Sequence, residues 1–506
     1  MATNDYYSRI IDASVYDVAV ETPLDYARLL SKRLGTHVLF KREDLQSVFS
    51  FKLRGAYNKL ARIPEEQRKK GVVCASAGNH AQGVALAARE FGAHATVVMP
   101  LATPSIKVEA VKALGGNVLL EGDSYDEACA VALQIAETRG LEFVHPFDDP
   151  DVIAGQGTIG MEIHQQIDNP IDMVFVPVGG GGLISGISAY LKEVSLETRI
   201  VGVEPEDAAS MQAAMSAGHP VTLDSVGLFA EGVAVRRVGD ETFRLCQELV
   251  DDLVLVTNDE ICAAVQDIFE DTRAIVEPAG ALAVAGLKRY AAEHDCANQV
   301  IVAVNGGANV NFGRLRHIAE RASLGEQREA LFAVDIPERK GSFSKFCEAL
   351  GKRNITEFNY RFHDVNTAQI FVGVELNEGD KERKQISTNL VSAGYSVIDI
   401  SDNELAKVHV RHMVGGHADK LADERIYRFV FPERAGALLD FLQAVGRQWN
   451  ISLFHYRNHG ADYGRVLAGI QVPESEKAEF RAHLEELGYP FSDETNDPVC
   501  QSFLIS

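Results

Sequence analysis

From Gly71 onward, short apolar runs alternate with helical stretches: GVVCAS, NHAQGVALAAREFG, HATVVMP, SIKVEAVKALGG, NVLLEG, DEACAVALQIAETRG and LEFVHP. Continuous β-branched runs bounded by Gly or Pro suit parallel strands covered on both faces, and the intervening stretches are long enough for crossover helices. The alternation resumes beyond Gly160, with strands predicted at Asp172–Val178, Arg199–Glu204, Leu253–Thr257 and Gln299–Asn305. Two open parallel-sheet α/β units follow, the smaller spanning about Ala56–Ile153 and inserted in the larger. The cleft between them is the default ligand site.

Near Arg314 the pattern changes. RLRHIAERASLGEQREA reads as a charged connecting helix, and an internal repeat follows it. PERKGSF at Pro337–Phe343 recurs as PERAGAL at Pro432–Leu438, and Phe358-Asn359-Tyr360-Arg361 is answered by Phe454-His455-Tyr456-Arg457. The offset is 95 residues at the first block and 96 at the last, so both copies are expected to share one supersecondary unit. Strand, turn, helix, strand and hairpin succeed one another in each copy, which is the βαββαβ order of an α+β ferredoxin-like sandwich. The expected domains are an α/β region over 1–325 and two such subdomains over 329–411 and 424–506, with HMVGGHADK around Gly415-Gly416 as the linker.

Composition narrows the class. A chain of 506 residues exceeds one core, and 46% apolar with 24% charged residues is ordinary globular material. A formal charge of -23 repels phosphate backbones and anionic membranes, so nucleic acid is not an expected partner. The 7 cysteines are scattered and form no Cys-x-x-Cys pair, which argues for a reducing compartment and against structural zinc. The N-terminus lacks the pattern of a signal or transit peptide, and no run of about 18 apolar residues occurs, so a cytoplasmic protein without membrane spans is expected.

Four segments carry candidate chemistry. Lys52 lies in SFKLRGA, where Phe51 and Leu53 could supply the apolar packing that lets a Schiff-base lysine lose its proton; a solvated surface charge is the ordinary alternative. Ser76-Ala77-Gly78-Asn79-His80 stands where a strand ends and a helix begins. Outward-pointing amides there can bind a carboxylate, although Ser76 or Asn79 could equally be a simple helix cap. Gly179-Gly180-Gly181-Gly182-Leu183 joins DMVFVPV to ISGISAYLKEV, and four residues without Cβ atoms let successive N–H groups wrap a phosphate. A flexible surface loop is the alternative. Asn305-Gly306-Gly307-Ala308-Asn309 ends QVIVAV, at the strand end where open α/β sheets bind ligands.

These segments, in this order, resemble the fold-type II pyridoxal-phosphate enzymes. With FAEGVAVRRVGDETFRL (Phe229–Leu245) and the doubled repeat, nearly the whole chain resembles the biosynthetic threonine dehydratases. The resemblance implies dehydration and deamination of L-threonine to 2-oxobutanoate and ammonia, the first committed step of isoleucine biosynthesis, with L-serine as a second substrate. It implies pyridoxal 5'-phosphate as cofactor, a homotetramer, and ACT-like repeats that respond to isoleucine and valine. Carried over by motif, Lys52 is the covalent anchor and catalytic base, and Asn79 bonds the ring 3-hydroxyl. Gly179, Gly180, Gly181, Gly182 and Leu183 hold the phosphate, and Ser76, Ala77, Gly78, Asn79 and His80 hold the substrate carboxylate. Tyr360 and Tyr456 are the effector candidates, because a tyrosine offers both an apolar face and a hydroxyl to a branched amino acid.

The chain departs from the pattern at three positions. Gly306 stands where relatives place a Ser or Cys against the pyridine nitrogen. Ala77 stands where serine racemases of this fold carry a Ser, which disfavours racemisation. Ser210 replaces the Asp that, with a Glu like Glu204, holds a divalent metal in those relatives, so no metal is expected. Two rival readings are a different fold-type II activity and an amino-acid sensor with a decayed catalytic half; retention of Lys52, Ser76, Asn79 and the four glycines argues against the second.

Overall fold

The computed structural model describes residues 4–337, 346, 349–351, 353, 355–361, 367–412, 423–432, 449, 451–457 and 463–504. It divides into two units, Met1–Ile318 and Ala319–Ser506, and the helix Arg314–Gly325 carries the chain across that boundary. The sequence pattern extends this helix to Ala330, but it stops at Gly325, and Ala330 instead lies fully buried in a strand.

The first unit holds β1 (Leu24–Tyr26), β2 (His37–Arg42), β3 (Val72–Ala75), β4 (Ala95–Met99), β5 (Asn117–Leu120), β6 (Glu142–Phe143), β7 (Met173–Pro177), β8 (Arg199–Pro205), β9 (Asp252–Val256) and β10 (Val300–Asn305). A small sheet of order β5-β4-β3-β6 is parallel throughout. The large sheet, β1-β2-β10-β7-β8-β9, is parallel except that β1 runs against β2. β3 explains why such strands read as unbroken apolar runs. Val72 and Cys74 enter one core with Val84 and Val97, whereas Val73 and Ala75 enter another with Val98, Ala128 and Ala132. Both faces are covered.

β1 and β2 were not predicted by the apolar pattern. In β2, Val38 and Phe40 are buried, but Lys41 and Arg42 interrupt the run. Their burial is made tolerable by partners: Lys41 pairs with Glu162 at 2.6 Å and Arg42 with Asp44 at 2.7 Å. The same charged cluster reaches Arg54, which bonds Glu43 at 2.8 Å and Glu162 at 2.5 Å with all three side chains buried. Arg54 lies in the helix Lys52–Arg62. Removing one partner would strand the others in the interior, at a cost of about 3–5 kcal/mol.

Glycines fix that helix on two sides. A β-carbon on Gly83, in the helix Asn79–Glu90, would come within 3.1 Å of the Lys52 and Leu53 backbone. One on Gly155, in the helix Pro150–Gln165, would lie 2.7 Å from the Arg54 carbonyl oxygen. Lys52 therefore starts a helix held by close backbone approach and by buried ion pairs.

In the second unit, β11 (Glu329–Pro337), β12 (Ile355–Arg361), β13 (Thr367–Glu375) and β14 (Ser396–Asp399) form an antiparallel sheet of order β12-β13-β11-β14. β15 (Glu424–Pro432), β16 (Ile451–Arg457), β17 (Tyr463–Gln471) and β18 (Phe491–Asp493) repeat it as β16-β17-β15-β18. The repetition extends to irregularities, since the register slips at Ile355/Glu357 and again at Ile451/Leu453. Phe332 and Val334 of β11 pack with Ile386 and Leu390 of the helix Asp380–Ser392. Leu331 and Ala333, on the opposite face, share a core with Ile426 and Leu467 of the second repeat. The Gly415-Gly416 linker expected between the copies lies outside the described residues. Among the described residues, no helix is long and apolar enough to cross a membrane.

Candidate active site

The turn before Lys52 is knitted to the end of β10. Phe51 N donates to the Gly306 carbonyl at 3.2 Å, Ala308 N donates to the Phe49 carbonyl at 2.8 Å, and Ser50 bridges Gly307. Phe49 adopts φ 56, a left-handed conformation that costs a bulky residue strain and is held by these contacts. Lys52 then points its amine into a cavity, where Nζ donates to the Gly232 carbonyl at 3.3 Å. Burial pushes this amine below the usual lysine range, and the charge of Glu277 opposes the shift only in part.

The same cavity is lined by Asn79, Gly179, Gly180, Gly181, Gly182 and Leu183. The glycine run leaves β7 and enters the helix Gly182–Val194, whose N-terminus has no side-chain cap. Its first amides are thus free for an anion. Phe147 lies directly beneath: a β-carbon on Gly180 would sit 2.2 Å from the ring, and one on Gly182 would sit 3.0 Å from its Cα. Gly181 has φ 97, and Thr242 donates its hydroxyl to the Gly180 carbonyl at 2.6 Å. Asp148 in turn accepts from the amides of Asp240, Glu241 and Thr242.

Ser76, Ala77 and Gly78 form the turn from β3 into the helix Asn79–Glu90. They are partly exposed and do not line the cavity, whereas the next residue, Asn79, does. Ser76 Oγ accepts from Gly78 N at 3.2 Å, so it braces its own turn. The His80 side chain is turned away, with Nε2 donating to the Val144 carbonyl at 2.9 Å. Burial holds its pKa down at about 3 despite that bond, so it is neutral at physiological pH, and only its backbone faces the turn.

Glu277 escaped the sequence reading. Its carboxylate lines the cavity and accepts from Asn79 Nδ2 at 2.6 Å, and Asn309 Nδ2 donates to Asn79 Oδ1 at 2.7 Å. Burial pushes Glu277 up from its ordinary value, against the lowering effects of the Asn79 bond and the Lys52 charge. The available signal was a Glu before Pro278 at a helix start, a position that favours Ser, Thr, Asp or Asn. Gly306 also lines the cavity; a β-carbon there would meet Phe51 at 3.4 Å, an ordinary contact. Asn305 is fully buried with neither amide atom partnered, but it does not line the cavity.

Tyr360 and Tyr456 occupy matching strand positions, opposite Ile370 and Val466, and their side chains lie outside the described residues. Among the described residues, no cluster of three His, Cys, Asp or Glu is arranged to hold a metal ion.

Comparison with known proteins agrees with this division. Residues 15–307 match the family model of pyridoxal-phosphate dependent enzymes, and residues 320–410 and 415–504 each match the C-terminal regulatory domain of threonine dehydratase. The chain is 54% identical over 507 residues to L-threonine dehydratase biosynthetic IlvA of Burkholderia multivorans, covering 100% of both proteins. It is 55% identical over 500 residues to the protein of the same name from Escherichia coli, covering 99% of this chain and 97% of that one. Among solved structures, the processed form of threonine deaminase isoform 2 from Solanum lycopersicum superposes with a TM-score of 0.63 at 51% identity, covering 64% of this chain and 88% of that one. Maize serine racemase superposes with a TM-score of 0.58 at 33% identity, covering 62% and 95%.

Proposed function

The chain belongs to the biosynthetic threonine dehydratases, pyridoxal-phosphate-dependent lyases with a C-terminal regulatory domain, and on that premise we propose how its own residues divide the work. The reaction eliminates the β-hydroxyl of L-threonine as water, and water re-enters to hydrolyse the resulting imine, leaving 2-oxobutanoate and ammonia. One juxtaposition carries the residue assignment: a buried lysine amine opens into the same cavity as a four-glycine turn at an uncapped helix N-terminus. Both features fit pyridoxal phosphate, one as a covalent anchor and the other as a phosphate cradle whose residues must be glycine because protein packs against them from behind.

When bound, the cofactor supplies an electron sink for the pair left at the substrate Cα. Lys52 is the base that takes the Cα proton, and its burial favours the neutral amine needed to accept it. Gly179–Gly182 and Leu183 hold the phosphate through backbone amides, and Asn79 donates to the ring hydroxyl. The turn Ser76–His80 offers its amides to the substrate carboxylate. With Ala77 rather than a hydroxyl-bearing residue, that turn supplies no second acid to return a proton to the opposite face of Cα, which favours elimination over racemisation. Borohydride reduction of the holoenzyme followed by peptide mass spectrometry is expected to label Lys52, and Lys52→Ala to lower turnover by at least about 10³-fold. Labelling at another lysine overturns the assignment.

The regulatory subdomains, taken as 329–411 and 424–506, are proposed to bind isoleucine as inhibitor and valine as antagonist, with Tyr360 and Tyr456 in the effector sites. The support is the duplicated strand register, which puts the two tyrosines at equivalent points of two like sheets. Tyr360→Ala and Tyr456→Ala are expected to raise the isoleucine concentration for half-inhibition by at least about 5-fold, the lower end of ordinary allosteric coupling, while effector-free turnover is unchanged. Two wild-type inhibition curves would remove the tyrosines from the effector site. Acceptance of L-serine, a homotetramer and a cytoplasmic location complete the proposal; the last is supported by the 6 described cysteines being in the thiol form.

A further inference from the structure

Glu277 occupies the cap position of the helix Pro278–Glu293, with φ -71 and ψ 158, yet its side chain makes no cap bond. A carboxylate in that position ordinarily turns back onto the first amides of its own helix. Here it extends into the cavity and accepts from Asn79 Nδ2 at 2.6 Å. Its place is fixed from behind, because Glu277 N donates to the Gly307 carbonyl at 3.0 Å. A β-carbon on Gly307 would also stand only 2.7 Å from Oε1.

The amide of Asn79 is held at its other end as well. Asn309 Nδ2 donates to Asn79 Oδ1 at 2.7 Å and to the Val48 carbonyl at 2.8 Å. Both hydrogens of the Asn309 amide nitrogen are thereby used, and a carbonyl and an amide oxygen are their only sensible acceptors. That fixes which end of Asn79 is oxygen. Its nitrogen must face Glu277, which takes one of the two N–H bonds and leaves the other for the cavity. Left unclamped, an exposed asparagine amide could turn over and present its oxygen, which repels an anionic acceptor on a ligand.

We propose that Glu277 is a positioning residue, which through Asn79 keeps one amide N–H directed at the cofactor ring. Asn309 completes the clamp from the opposite end. The short bond from Asn79 to this carboxyl oxygen, together with the Asn309 bond at the other end, sets the orientation. The inference rests on reading this cavity as the cofactor site.

The test is a double-mutant cycle on cofactor affinity, measured by titrating cofactor-free protein with pyridoxal phosphate and following protein fluorescence. Glu277→Ala is expected to weaken binding at least about 10-fold, the effect of leaving a buried amide N–H without its acceptor. In an Asn79→Ala background the same change is expected to cost less than about 2-fold, since the route through the Asn79 amide is gone. Glu277→Asp, which keeps the charge but withdraws the carboxylate from Asn79, should fall between the two and provides the measurement if the alanine variant does not fold. Equal losses with and without Asn79 overturn the proposal, because a role in packing alone would be additive. Borohydride labelling of each variant separates the two levels of failure: Lys52 labelled with an additive cycle sinks only the clamp, whereas a different labelled lysine sinks the site reading beneath it.

Discussion

Two strand-to-helix turns are the candidate anion sites, and they are built from the same backbone device with opposite packing. The turn after β3 and the turn after β7 both deliver a helix with no side-chain N-cap, so both offer unpaired amides to an anion. Behind Gly179–Gly182 the protein leaves no room. Val233, Phe147, Met211 and Thr242 all stand within 3.0 Å of where the β-carbons would fall. At Gly78, by contrast, a β-carbon would meet nothing within 4 Å. A walled turn suits a group that stays bound through every turnover, while an open turn suits one that enters and leaves. The difference teaches that free amides say where an anion can bind, and packing says for how long.

The largest expected effect breaks the wall. Gly180→Ala sets its new methyl 2.2 Å from the Phe147 ring, so either the ring or the turn must shift. Overpacking of that kind costs about 1–3 kcal/mol, which corresponds to about 5- to 150-fold in retained cofactor if the strain falls on the turn. Equilibrium binding of pyridoxal phosphate to the purified variant measures it. Unchanged affinity would mean that Phe147 yields freely and that the wall has no bearing on retention.

How much of this was legible beforehand depends on sequence distance. The glycine run, the strand before it and the helix after it are contiguous, so their pattern alone pointed to an anion site. The repeated Phe-x-Tyr-Arg blocks predicted two like sheets, and even the register slip at Ile355/Glu357 recurs at Ile451/Leu453. Phe147 was not legible as the floor of the glycine turn, because only the fold brings HPFDD under GGGG. Nor was the clamp on Asn79, whose partners Glu277 and Asn309 are 198 and 230 residues away. β2 was missed for a different reason. Lys41 and Arg42 make it look like a surface strand until Glu162 and Asp44, from elsewhere in the fold and from the next turn, neutralise them.

The smallest expected effect sharpens the comparison from the open side. Gly78→Ala adds a methyl where the protein offers no obstacle. The residue stands one position before Asn79, within the turn whose amides are proposed for the substrate carboxylate. Cofactor affinity and melting temperature should stay at wild-type values, because neither the wall at Gly179–Gly182 nor the Asn79 clamp is touched. Surface changes of this kind are worth within about 0.5 kcal/mol in stability. The threonine KM should rise by no more than about 10-fold, the lower range for one added methylene in a specificity site, with kcat the less affected constant. Steady-state kinetics beside a cofactor titration separates these terms. If Gly78→Ala sheds cofactor as Gly180→Ala is expected to, the open turn is part of the cofactor's own seat, and the division between a resident and an exchanging anion does not hold.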